Sequence, residues 1–156
     1  MTHIILESAY EEKTIIRSLF EEYAASLPID LGFQCFDEEL RDLPGKYSLP
    51  DGRLYIAKAD GLVAGCVALR RLDETRCEMK RLYVRKLFRG AGVGRLLAER
   101  VVADASVMGY AAILLDTLQS MSEALALYRA MGFVEIGAYC HNPQPDAIYM
   151  RKELQG

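Results

Sequence analysis

Metal-binding and redox-active residues are sparse in this chain. Its four cysteines, Cys35, Cys66, Cys77 and Cys140, form no C-x-x-C pair, and only His3 and His141 could join them, so the spacing of a zinc site is missing. Each cysteine reads instead as a buried apolar thiol. An excess of basic charge is missing as well: 19 Lys and Arg stand against 22 Asp and Glu, for a net charge of -3. With no basic stripe, the electrostatic footprint of a nucleic-acid binder is excluded. No apolar run approaches the roughly 18 residues that a membrane span needs. The opening "MTHIILESAYEEK" carries acids where a signal peptide needs a basic n-region. The expectation is a cytoplasmic protein with reduced thiols and no membrane or nucleic-acid partner.

The composition that remains is that of a globular enzyme, with 51% hydrophobic and 26% charged residues in a chain of 156. That length fits one domain, residues 1–156, with one core. Residues 3–8 read as a strand. Ile15, Ile16, Leu19, Phe20 and Tyr23 recur at helical spacing and predict an amphipathic helix over 11–26. Residues 27–52 hold three of the five prolines around a short candidate helix at 36–43, the look of an excursion that shapes a substrate pocket. Strand-like runs near 53–59, 62–71 and 75–84 are separated by "ADG" and "LDET", which predicts an antiparallel meander.

After a glycine-rich stretch, Val93, Leu96, Leu97, Val101, Ala105 and Met108 line one face of a helix that Gly109 stops. "AAILLDT" is apolar throughout its first five residues, as in a strand buried on both faces. "MSEALALYRAMGF" predicts a second helix with Ser122 as N-cap and Gly132 as stop, and strands near 133–139 and 147–154 close the chain. The order is one strand, two helices, three strands, helix, strand, helix, two strands.

The glycines Gly90, Gly92 and Gly94 lie between the strand ending at Val84 and a helix beginning near Val93. A helix N-terminus offers unpaired N–H groups and the positive end of a dipole, and glycine lets an anionic phosphate come close to them. A plain turn is the simpler reading. A P-loop needs Lys and then Ser or Thr after the last glycine, and Gly94 is followed by Arg95 and Leu96. A dinucleotide fold wants an acid at a strand end about 20 residues on, and Asp116 fits, but it also wants glycine where Arg95 stands and a turn straight off the strand.

"RLYVRKLFRGAGVGRLLAE" resembles the central motif of the GNAT superfamily of N-acetyltransferases, whose Arg/Gln-x-x-Gly-x-Gly/Ala signature matches Arg89, Gly92 and Gly94. "ALYRAMGF" resembles the later helix and strand of that superfamily, and the order of elements is also similar. The resemblance implies an α/β (α+β) fold with a mixed, mostly antiparallel sheet flanked by helices. It implies acetyl-CoA as cosubstrate, its pantetheine arm against Leu82, Tyr83 and Val84 and its phosphates on Arg89, Gly90, Ala91, Gly92, Val93, Gly94 and Arg95. The function implied is transfer of acetyl to a primary amine of a small molecule or peptide by direct attack. A catalytically silent CoA-binding regulatory domain is the alternative, and a homodimer is left open.

An ammonium has no lone pair, so a base must strip it, directly or through water. Glu78 matches the position used as base in several GNAT enzymes. Strand alternation sets it on one face with Lys80, Leu82 and Val84, and the competing reading is a surface carboxylate paired with Lys80 or Arg81. Tyr128 matches the family's acid for the departing thiolate, although Leu125, Tyr128 and Met131 also make a core stripe. His141 is expected near the substrate mouth, and Lys46 and Tyr47 could touch a substrate carboxylate. Asp37, Glu38, Glu39 and Asp42 read as a solvated helix face or as an attractor of cationic amines.

Overall fold

The computed structural model describes residues 2–154. Its strands are β1 (Ile4–Ser8), β2 (Arg53–Ala59), β3 (Leu62–Arg71), β4 (Arg76–Val84), β5 (Ala112–Leu118), β6 (Val134–Ile136) and β7 (Ala147–Glu153). Its helices are α1 (Lys13–Ser26), α2 (Phe36–Asp42), α3 (Val93–Val107) and α4 (Ser122–Ala130). The order is the expected one. β6 stops at Ile136, short of the strand predicted over 133–139.

The meander folds as its turn signals suggest. Asp60 and Gly61 both take positive φ, 50° and 84°, as a two-residue hairpin of the right twist requires. Ser122 differs from expectation. It is the first helical residue of α4, while Met121 holds the cap position without a side-chain bond and accepts the Leu125 N–H at 3.0 Å. Two of the four thiols also depart from the buried reading: Cys66 and Cys77 are buried on strands, but Cys35 and Cys140 are exposed because they sit in connections.

The seven strands form one sheet in the order β1-β2-β3-β4-β5-β7-β6. All neighbours are antiparallel except β4 and β5, whose parallel ladder covers Arg76–Glu78 against Ala112–Leu114. One face packs α3 and α4 through Val93, Leu97, Val101, Leu125 and Tyr128. The other packs α1 and the 27–52 excursion through Ile16, Leu19, Phe20, Phe36 and Tyr47. Each fully buried side chain, Leu97 or Phe20 for instance, contributes about 1.5–3 kcal/mol of transfer free energy. Among the described residues no helix is long and apolar enough to cross a membrane.

Candidate active site

The site begins with one irregularity in β4. Cys66 pairs with Tyr83 and Ala68 with Lys80, so Arg81 and Leu82 together oppose the single residue Val67. This is a β-bulge, and Arg81 takes φ of 61° to make it. The extra residue reverses the alternation. Lys80 and Arg81 both turn toward the excursion, where they bond to Gln34, while Leu82 and Val84 pack on the α3 side. The expectation that Glu78 shares a face with Leu82 and Val84 is therefore corrected: regular alternation fails at the bulge.

The bulge bends β4 where its ladder to β5 has just ended at Glu78 and Leu114. Beyond that point the strands part, and two cavities occupy the opening. A groove of about 730 Å³ is lined by Leu82, Tyr83, Val84, Arg89, Gly90, Gly92, Val93 and Gly94, with Tyr23 and the start of α4 opposite. A smaller pocket of about 40 Å³ adjoins it through Tyr23, Leu27, Leu82 and Met121. Its polar lining is Gln34, Lys80, Arg81, Asp116, Thr117, Tyr128 and Asn142.

Eight of the ten residues expected on the cofactor thus line the groove. Ala91 and Arg95 do not; both are exposed, and Arg95 turns along α3 to Glu99 at 3.5 Å. Gly90 and Gly92 have φ of 87° and 84°, a left-handed backbone that side-chain-bearing residues rarely adopt. Gly92 ends this turn as the N-cap of α3, whose first N–H groups are left without helical partners. Arg89 Nε donates to the Val84 carbonyl at 3.1 Å and fastens the loop to the strand.

Tyr128 is in the core and in the pocket wall at once, its ring tilted at 58° to that of Phe133 with 5.7 Å between centroids. Burial pushes its phenol above the ordinary range, and the nearby Tyr23 and Asp116 add to that, so it stays a proton donor. Glu78 lines neither cavity. It is 2% exposed, receives the Tyr139 hydroxyl on Oε2 at 2.5 Å and Arg70 Nη1 on Oε1 at 3.3 Å, and has Lys80 Nζ at 3.9 Å. The surface half of the alternative is thereby corrected, since Glu78 is buried, while its pairing with Lys80 is present at 3.9 Å beside the shorter bond from Tyr139.

Gln34 and Asn142, unmarked in the sequence, line the smaller pocket beside Arg81. Arg81 is gripped by Glu39 through Nε–Oε2 at 3.0 Å and Nη2–Oε1 at 2.9 Å, over the ring of Phe36 at 5.3 Å. Burial opposes charge on Glu39, but the Arg81 hydrogen bonds and charge outweigh it and hold the carboxyl below its usual value. Glu39 is therefore no part of a solvated face, though Asp37, Glu38 and Asp42 are exposed. Tyr47 is fully buried against Phe20 and is not presented to a substrate carboxylate, and Lys46, paired with Glu39 at 3.3 Å, lies outside both cavities. His141 is exposed and outside both cavities, and its neighbour Asn142 lines the pocket instead.

Asp116 is the one carboxylate among the described residues lining that pocket. It breaks an otherwise apolar strand, and that single acid in "AILLDTL" is the signal by which sequence alone could have found it.

A glycine loop at a helix start, opening into a groove that ends at a polar pocket inside a split sheet, defines the acyl-CoA N-acyltransferase class of fold. The chain belongs to the GNAT family: the model described as "Acetyltransferase (GNAT) family" matches residues 16–133. It is similar to an uncharacterized N-acetyltransferase of Dictyostelium discoideum, 34% identical with 94% of this chain and 97% of that protein covered. It is similar also to one of Schizosaccharomyces pombe, 39% identical over 88% of this chain and 86% of the other. An acetyltransferase of Salmonella typhimurium, solved with its cofactor acetyl-CoA, shares the fold at a TM-score of 0.71 and 17% identity, covering 97% and 94% of the two chains. The protein is an acetyltransferase enzyme.

Proposed function

We propose that the chain, as a single cytoplasmic domain, transfers acetyl from acetyl-CoA to a primary amine of a small molecule or peptide by direct attack. The observation that carries this reading is the groove. Its volume of about 730 Å³ falls within the usual range of ligand sites, and one end is a left-handed glycine turn at a helix N-terminus. The fit extends along β4, whose Leu82–Val84 edge faces the groove where the β5 ladder has ended, open to an extended arm added as a strand. In this reading Gly90 and Gly92 let the backbone approach the phosphates, and Arg89 braces the turn.

Bound there, acetyl-CoA supplies a thioester carbonyl ready for attack. The chain's own residues orient the partners, exclude water and move protons. Tyr128, protonated and buried in the pocket wall, hydrogen-bonds the departing sulfur. Glu78, which lines neither cavity, is the base at one remove, acting through a bridging water.

The test is calorimetric titration of acetyl-CoA into wild type and Gly92→Val. Valine at φ of 84° cannot keep the turn, so affinity should fall at least tenfold in a variant that still unfolds cooperatively. Equal affinities would remove the cradle from the reading. Thiol release with a panel of amino acids, polyamines, aminoglycosides and peptide N-termini then identifies the acceptor. A Glu78→Gln variant should lose most rate at low pH, where amines are hardest to deprotonate, with acetyl-CoA affinity unchanged. Superimposable pH–rate profiles would make Glu78 structural.

A further inference from the structure

The groove and the pocket share four wall residues, Tyr23, Leu27, Leu82 and Met121. A thioester sits where the cofactor's arm ends and the acceptor's space begins, so these four surround the acyl carbon. Leu27 and Leu82 are apolar, and Met121 Sδ already takes the Thr117 hydroxyl at 3.6 Å. Tyr23 is the one of them with a proton to donate.

Donors deeper in the pocket are engaged and do not line the groove. Lys80 Nζ and Arg81 Nη1 both donate to Gln34 Oε1, at 3.2 and 2.8 Å, and Asn142 Nδ2 donates to Asp116 Oδ2 at 3.1 Å. The Tyr23 and Tyr128 hydroxyls differ. Among the described residues nothing hydrogen-bonds either one, and neither is sealed away from the cavities. They come from opposite faces of the sheet, Tyr23 on α1 and Tyr128 on α4, and are close enough that Tyr23 helps to push the Tyr128 phenol up. The opening between β4 and β5 brings them together.

Tyr23 is also held still. Its ring stands edge to Tyr83 at 6.2 Å between centroids, and the clamped Arg81 guanidinium lies over it at 5.9 Å. Burial raises its phenol and the Arg81 charge only partly offsets that, so the hydroxyl keeps its proton. A rigid, neutral donor needs no reorganisation when negative charge develops beside it.

We propose that Tyr23 is a catalytic residue that donates a hydrogen bond to the thioester carbonyl oxygen and so stabilises the oxyanion of the tetrahedral intermediate. The proposal rests on the acetyl-CoA reading above and leaves the base and the acid where that reading puts them. In the step, the amine lone pair forms the C–N bond, the nitrogen's proton goes to the base, and the C=O π pair moves onto the oxygen that Tyr23 holds. On collapse that pair re-forms C=O, the C–S bond breaks, and its electron pair leaves on sulfur under the hydrogen bond from Tyr128. The Tyr23 proton stays on Tyr23 throughout. The two phenols thus divide the two heteroatoms of the thioester between them.

The test needs no acceptor. Acetyl-CoA labelled with heavy carbon at its thioester carbonyl is bound to each protein, and the carbonyl band is isolated by isotope-edited infrared difference. A donor on oxygen weakens C=O, so the bound band should lie at higher wavenumber in Tyr23→Phe than in wild type and stay in place in Tyr128→Phe. For any amine that wild type acetylates, Tyr23→Phe should also lose at least tenfold in turnover, with acetyl-CoA affinity within about twofold of wild type. An unmoved band in Tyr23→Phe, an equal move in Tyr128→Phe, or undiminished turnover would overturn the proposal. If Tyr23→Phe fails to fold, fluorotyrosine at the same position decides: a more acidic phenol of nearly the same shape should move the band to lower wavenumber, and no movement overturns the proposal as well. Calorimetric titration of the same samples keeps the two readings apart. Acetyl-CoA bound with an unmoved band rejects Tyr23 alone, and no binding to wild type rejects the cofactor groove on which the proposal rests.

Discussion

At Arg81 a backbone distortion and a buried charge are resolved by the same side chain. Its left-handed φ costs about 1–2 kcal/mol for a residue with a Cβ, and its guanidinium would be costlier still without Glu39. Removing one partner of such a pair leaves the other charge buried and unpaired. Glu39→Ala should therefore destabilise the protein by about 3–5 kcal/mol in urea unfolding.

The pair also sets a pH limb. Because Glu39 titrates lower in the folded state, the stability it contributes is complete above the unfolded value of about 4.3 and is lost as pH falls through the folded one. Urea midpoints of wild type should thus drop more steeply between about pH 5 and 3 than those of Glu39→Gln. Tyr128 makes the complementary case, in which burial serves chemistry as well as packing. Tyr128→Phe keeps the ring against Phe133 and removes the hydroxyl, so turnover should fall more than tenfold at an unchanged melting temperature. Full activity would exclude the acid role.

Among the elements, those with a clear period were legible from sequence and those with a local exception were not. Ile16, Leu19 and Phe20 announced α1 because one face of a helix must be apolar to pack, and "AAILLDT" announced β5 because both faces of a central strand are covered. The glycine loop was legible too, since few residues other than glycine turn left-handed before a helix. The bulge was hidden, because nothing in "EMKRLYV" marks Arg81 as a residue with positive φ. That one hidden residue misassigned the face of Leu82 and Val84. Asp116 was visible as an acid, but its place in the pocket wall depends on β5 parting from β4, a long-range fact.

The bulge yields its own prediction. In a regular strand valine is more stable than glycine, by up to about 1 kcal/mol. At position 81 the order should invert: Arg81→Gly and Arg81→Val lose the same ion pair, but only valine is strained at φ of 61°, so the valine variant should be less stable by about 1–2 kcal/mol. Urea unfolding of the two variants measures the difference, and the ordinary order would mean that the bulge relaxes.

Across the whole molecule the sheet keeps two apolar layers apart. Ile16 belongs to the layer under α1 and Val101 to the layer under α3, with strand backbone between them. Ile16→Val and Val101→Ala should then add to within about 0.5 kcal/mol when combined, and a larger coupling in a double-mutant cycle would show that the layers move together.

This separation bears on how such a molecule can change over generations. The loop that turns left-handed at Gly92 is anchored on one layer, whereas Phe36, Leu43 and Tyr47 of the excursion are anchored on the other. A lineage can therefore rewrite residues 27–52 by insertion, deletion or repacking, and so reshape the pocket wall that Leu27, Ile29, Leu31 and Gln34 supply, while the opposite layer goes unaltered. Such change is tethered at Arg81, whose strand belongs to the sheet and whose partner Glu39 belongs to the excursion. Any descendant that redesigns the excursion inherits a buried cation and must supply it with a new anion from whatever sequence replaces α2.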